Sequence, residues 1–320
     1  MRQLEELTWP DLAGLDRARA VVFLPISPME EHGPHLPVGT DFLIARALCE
    51  RTAAELVRRR PDRPSVLAPP VPIGSGVVPM LGSLGVRRRA VHDVVLAAGR
   101  SLARDGFRTV VAVSGHMGLT HLIALESAAR HVSRRFGIAM LAPSAAIGRS
   151  VIRDPAFARL FAALDPGVSD DDLAALATYH HGGMLETSVM LYLYPQLVRP
   201  IYSSLPPTRR TAYLGWRGRA PSQFQGYVGE PARARADVGA VVVAALTQAG
   251  ADTIERALDA RSTDAEPVPD DGETAEITPA AARRPGESRL VAMLGAVGLA
   301  GVVTLAARRW SARAGAREKR

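Results

Sequence analysis

Residues 20–59 read "AVVFLPISPMEEHGPHLPVGTDFLIARALCERTAAELVRR", and the way this stretch divides decides the fold. Its first eight residues form an apolar run that ends at Pro28 and suits a strand buried on both faces. From Asp41 the apolar residues recur at helical spacing, and Thr40 or Asp41 is placed to cap that helix. Between the two lies "PMEEHGPHLPVGTD", residues 28–41. It holds two adjacent glutamates, two histidines and an aspartate among three prolines and two glycines. That many glycines and prolines exclude a regular helix and fix an irregular backbone instead. A buried strand, a rigid loop and an amphipathic helix make one unit of an α/β fold.

The unit recurs downstream. "SVLAPPVPIGSGV" (65–77) is a short strand running into a Gly/Pro loop, and "AVHDVVLAAGRSLARDGF" (90–107) reads as a helix. "RTVVAVSGH" (108–116) is a second buried strand, "HLIALESAARHVSRRFG" (121–137) a helix, and "IAMLAPS" (138–144) strand-like. This alternation predicts a single three-layer α/β domain over residues 1–261, with a largely parallel sheet between helices.

Composition narrows the function classes. The hydrophobic content of 47% is ordinary for a chain that buries a core. The formal charge is +7, yet Lys319 is the only lysine and the arginines are spread along the chain. The clusters Arg58–Arg60 and Arg87–Arg89 read as solvated faces, so no nucleic-acid partner is expected. Cys49 is the only cysteine, which excludes an intrachain disulfide and fits a reducing compartment. The opening "MRQLEELTWPDLAGLD" has acids where a signal peptide needs its apolar core, so a cytoplasmic catalytic domain is expected.

Composition changes after Arg261. Residues 262–289 are acidic and proline-bearing, as in a flexible linker. Residues 290–307, "LVAMLGAVGLAGVVTLAA", carry no charge. At about 1.5 Å per residue a helix of that length just reaches across a hydrocarbon core of roughly 30 Å. Arg308, Arg309 and Trp310 follow in a basic tail, 308–320. The segment is therefore expected to contact or span a membrane.

Six of the eight histidines fall in three short segments: His32 and His35, His116 and His121, His180 and His181. Each segment lies at a strand end or in a glycine-containing loop. In open α/β sheets, ligands bind beyond the carboxyl ends of the strands, so the three loops can converge. Glu30 and His32 alternate in an extended segment and can point the same way. Asp41, His116 and Glu186 add two carboxylates and an imidazole. Mixed imidazole and carboxylate donors suit zinc, manganese or similar ions. Three carboxylates and two histidines suffice for two ions if one carboxylate bridges.

"PMEEHGPHLPVGTD", "SGH", "HHGGMLETSVML" and "GYVGEPARARADVG" (226–239), in this order, resemble the signature segments of the creatininase family of metal-dependent amidohydrolases. The resemblance covers about residues 4–260. It implies a three-layer α/β fold, a homo-oligomer and two divalent ions, Zn2+ and/or Mn2+. Carried over residue by residue, it implies Glu30, Asp41 and His116 on one ion and His32, Asp41 and Glu186 on the other. It also implies His181 as the proton-shuttling residue beside Glu186. A water between two cations is acidified while one cation polarises the amide carbonyl. His35 is expected to be structural or to support a ligand, Glu31 to face away, and His121 to lie on the outer side of a helix turn.

Departures bear on substrate. Gly118 stands where creatininase proper carries a ligand, and Ser114 and Leu119 stand where relatives carry asparagines. Ala177 and Met117 replace aromatic groups of the creatinine pocket. The expected substrate is a small cyclic amide, a formamide or a similar C–N bond. The alternatives are a peptidase of the mycofactocin-precursor type and a non-catalytic, membrane-tethered scaffold.

Overall fold

The computed structural model describes residues 1–155, 157, 159, 163, 181–208 and 224–261. Five strands form one sheet: β1 Arg2–Gln3, β2 Val21–Pro25, β3 Ser65–Leu67, β4 Thr109–Val113 and β5 Ala139–Leu141. Their order is β1-β3-β2-β4-β5, and every pairing is parallel. The central pair runs in register from Val21 opposite Thr109 to Pro25 opposite Val113. Among the described residues the α-helices are α1 Trp9–Ala13, α2 Thr40–Arg59, α3 Arg88–Arg104, α4 Leu119–Phe136, α5 Ser144–Arg153, α6 Met184–Leu193 and α7 Ala236–Arg261.

Strand β2 explains the layering. All five of its residues are buried, and alternate side chains leave opposite faces of the sheet. Val22 and Leu24 join Val91 and Val95 of α3 and Leu125, Ala128 and Val132 of α4 in one core. Val21 and Phe23 meet Cys49, Ala53 and Leu56 of α2 and Ile254 and Leu258 of α7 in the other. Each valine, leucine, isoleucine and phenylalanine among them contributes about 1.5–3 kcal/mol by leaving water. A third cluster packs α5, α6 and α7 together, with Val151, Met190, Val238 and Val243 among its buried members.

The strand order places the site. From β2 the chain crosses to β3 on one side, and from β3 it crosses back over β2 to β4 on the other. The loops leaving the carboxyl ends of β2 and β4 therefore part, and the crevice between them is where ligands bind in such sheets. Helix α2 begins one residue before Asp41, with Gly39 in the capping position. Thr40 instead donates its hydroxyl to the carbonyl of Pro37 at 2.7 Å. The expected Thr40 or Asp41 cap is thus replaced: Asp41 sits inside the first turn, where the helix dipole favours a carboxylate.

Residues 262–289, 290–307 and 308–320, expected to be linker, membrane helix and tail, lie outside the described residues. Among the described residues no helix is long and apolar enough to cross a membrane.

Candidate metal centre

The loop after β2 closes on itself through the Glu30 amide, which donates to the Val38 carbonyl at 2.7 Å. This fold of the loop turns Glu30 and His32 inward, next to the first turn of α2. The loop after β4 approaches from the other side. Ser114 Oγ accepts from the His116 amide at 3.0 Å and donates to the His116 carbonyl at 3.0 Å. Ser27 Oγ accepts from the Gly115 amide at 2.9 Å. The first turn of α6 brings in Glu186, whose Oε2 accepts from the Gly182 amide at 2.7 Å.

The side chains meet as two overlapping sets. His116 Nδ1 lies 2.9 Å from Glu30 Oε2 and 3.1 Å from Asp41 Oδ2. His32 Nε2 lies 3.3 Å from Asp41 Oδ1 and 3.5 Å from Glu186 Oε2. Asp41 thus gives one oxygen to each set. Within Glu30, Asp41 and His116, and again within His32, Asp41 and Glu186, the donor atoms lie within 4.8 Å of one another. Glu30, His32 and His181 form a third such group. The residues are buried except Glu186, whose side chain is 19% exposed.

The tautomers suit cation binding. His32 Nδ1 lies 2.9 Å from the Glu30 carbonyl, and His116 Nε2 lies 3.3 Å from the Ser75 carbonyl. Each imidazole donates its outer N–H to a backbone oxygen and turns its other nitrogen to the cluster, as metal-bound histidines do. The atoms turned inward are left short of partners. Glu30 Oε2, Asp41 Oδ1, Asp41 Oδ2 and His32 Nε2 are buried without a hydrogen bond. Buried polar atoms are rarely orphaned unless an ion or water belongs there. The cluster fits a divalent metal.

Electrostatics agree. Burial raises the Glu30 carboxyl and lifts Glu186 to about 7. Burial would depress His32, but the Asp41, Glu186 and Glu30 carboxylates outweigh it and lift the imidazole to about 10. Burial also opposes ionisation of Asp41, yet His32 and His116 hold it well below the usual range. His181 is driven well below 6.5 by burial, with His32 adding to the effect. Without a cation, three carboxylates in a water-poor pocket draw protons onto the imidazoles beside them.

The neighbours of the cluster divide. His181 is buried, its ring centroid 4.1 Å from that of His32 and its Nε2 2.5 Å from the Glu31 carbonyl. His35 is buried and reaches Thr187. Glu31 directs its carboxylate to the Gly33 amide and packs against Gly226. His121 differs from expectation. It is fully buried, edge-on to His116 at 5.4 Å, with Nε2 3.3 Å from the Ile26 carbonyl. Its position three residues into α4 faces the sheet end, which an unsigned helix start did not reveal. His180 and Ala177 lie outside the described residues.

Two contributors have no side-chain signature. The Val78 amide donates to Glu30 Oε1, at 2.5 Å, and Ser75 offers its carbonyl to His116. Both come from the Gly/Pro loop after β3. In the sequence that stretch reads only as a Gly/Pro loop.

The parallel three-layer α/β sheet carries a His/Glu/Asp cluster at its switch point that fits a divalent ion, and comparison with known proteins gives the family. The family model for creatinine amidohydrolase matches residues 5–254, and the chain belongs to the creatininase family. A mycofactocin precursor peptide peptidase of Mycolicibacterium smegmatis is 28% identical over 248 residues, spanning 74% of this chain and 85% of the relative. A creatinine amidohydrolase of Pseudomonas putida is 28% identical over 203 residues, 60% of this chain and 72% of the relative. In structure, a crystalline creatinine amidohydrolase superposes with a TM-score of 0.62 at 23% identity, covering 80% of this chain and 97% of that one. A manganese creatininase gives 0.60 at 24% identity, covering 80% and 98%.

Proposed function

We propose that this hydrolase cleaves a C–N amide bond in a short peptide, using two divalent ions, Zn2+ and/or Mn2+. Glu30, Asp41 and His116 would hold one ion and His32, Asp41 and Glu186 the other. The observation that carries this reading is the set of orphaned inward-facing atoms on Glu30, Asp41 and His32. When bound, the ions acidify water and polarise the scissile carbonyl. The chain's own residues do the rest. Asp41 spans both sets and fixes their separation. His181 keeps Nε2–H on the Glu31 carbonyl, so Nδ1, unprotonated in the neutral ring, would take a proton from the attacking water and pass that proton to the leaving nitrogen. Its depressed basicity keeps it neutral near pH 7.

A peptide substrate is favoured over a small cyclic amide by two points. The relative that this chain covers over 85% of its length is a precursor peptide peptidase. Met117, 43% exposed beside His116, gives an apolar group where the creatinine pocket has a tyrosine. The small-amide reading keeps the support of the 28% identical creatinine amidohydrolase. Incubating metal-loaded protein with short peptides and with cyclic ureides, read by mass spectrometry, separates the two. Cleavage of peptides alone is expected; cleavage of ureides alone overturns the peptide assignment. Stoichiometric metal with no turnover on either panel favours the scaffold.

A further inference from the structure

His35 stands three residues after His32 on the same rigid loop, and the mechanism above does not use it. Its ring is fully buried, and burial lowers its basicity to about 4, so the imidazole is neutral and carries one N–H. His35 Nε2 lies 2.9 Å from Thr187 Oγ1. Thr187 is fully buried as well, and its hydroxyl donates to the Gly182 carbonyl at 3.3 Å. With the hydroxyl proton on the Gly182 carbonyl, His35 Nε2–H is assigned as the donor to Thr187, and the His35 ring also bonds the Gly182 backbone directly. The other end of the Gly182 residue, its amide, donates to Glu186 Oε2. That same oxygen is the one 3.5 Å from His32 Nε2.

These contacts form one chain: His35 to Thr187, Thr187 to the Gly182 carbonyl, and the Gly182 amide to Glu186. Its two ends lie on the loop after β2 and on the first turn of α6. Both the carbonyl and the amide of Gly182 are occupied, so the residue cannot turn without breaking one contact. Tyr227 supports the arrangement, meeting the His35 ring edge-on at 5.8 Å. The chain touches only the set that contains Glu186. The Glu30, Asp41 and His116 set is held instead by Ser27, Ser114 and the loop after β3.

From this we infer that His35 and Thr187 are positioning residues for Glu186, tuning one ion site and leaving the other alone. The inference rests on the two-ion reading above. Loss of a side chain that orients a ligand weakens metal binding by about ten- to a hundredfold. The test is titration of the metal-free full chain with Zn2+ against a competing chelator. Wild type is expected to take up two equivalents. Thr187→Val, which keeps the shape and removes the hydroxyl, is expected to weaken one equivalent by about ten- to a hundredfold and leave the other unchanged. Thr187→Ser restores it. In a Glu186→Gln background, Thr187→Val is expected to cost nothing further, since coupled residues are not additive.

Should Thr187→Val fail to fold, His35→Leu against His35→Gln reads the same contact, because the glutamine amide can still donate to Thr187. Equal weakening of both equivalents, or wild-type binding of both in Thr187→Val, overturns the positioning role alone. Failure of the wild-type chain to bind zinc overturns the two-ion reading and this role with it.

Discussion

A β-carbon on Gly115 would run into the backbone carbonyl of Asp41. The loop after β4 and the first turn of α2 touch there, which is how His116 comes within 3.1 Å of Asp41. Gly115→Ala is expected to cost about 1–3 kcal/mol, the usual penalty of overpacking, read as a lower Tm together with weaker metal binding. His116→Ala removes a donor from one set and should lower kcat/KM by about a hundredfold or more, equal to roughly 3 kcal/mol of barrier. Proton linkage gives a further expectation. His32, lifted to about 10 in the metal-free pocket, carries a proton at pH 7 that coordination must displace. Zinc uptake should therefore release protons and tighten as pH rises towards that value. Calorimetry in two buffers of different ionisation enthalpy measures the release, and equal apparent heats would contradict it. At this scale the sequence was informative wherever function resides in side chains. Glu30, His32, Asp41, His116 and Glu186 stood out by type and placement. The Ser75 carbonyl and Val78 amide did not, because every residue owns those groups.

Among elements, β2, β4, α2, α3 and α4 were legible, since their apolar runs or helical periodicity are long and their ends are marked by glycine, proline or charge. Helix α7 was not. It carries Gly239 and Gly250 within its span, and glycine weakens a helical reading by about 1 kcal/mol per residue. The structure shows what Gly239 does. A β-carbon there would meet the Ser188 carbonyl of α6, so the glycine lets α6 and α7 pack in direct backbone contact. Gly239→Ala sets two effects against each other. Better propensity gains about 1 kcal/mol, while pushing apart two packed helices costs about 1–3 kcal/mol. Net destabilisation is expected, and because α6 carries Glu186, the displacement should also weaken metal binding. An increase in Tm with unchanged zinc affinity would show that α6 has room to move. Strand β1, two residues long, is too short for any period to reveal. Its pairing with β3 is a tertiary event.

For the molecule as a whole, the strand order β1-β3-β2-β4-β5 assembles the site. Residues 30 to 41 and His116 become neighbours because the crossover from β3 to β4 passes over β2 and seats β4 beside it. Predicting that these loops meet needed only the rule that parallel sheets bind ligands at their carboxyl ends. Which loops adjoin depended on strand order, which periodicity does not encode. Two whole-chain expectations follow from the sequence. If residues 290–307 associate with membrane, the full chain sediments with vesicles while a chain ending at Arg261 stays in the supernatant; equal partition removes the anchor. Light scattering of the latter is expected to give a multiple of the chain mass, as the family resemblance implies. The most direct measurement is the metal content of protein purified without chelator, by elemental analysis. Two divalent ions per chain are expected in wild type, falling below one in Asp41→Ala, because Asp41 serves both sets. Wild-type protein without stoichiometric metal, or Asp41→Ala with its full complement, would contradict the binuclear centre.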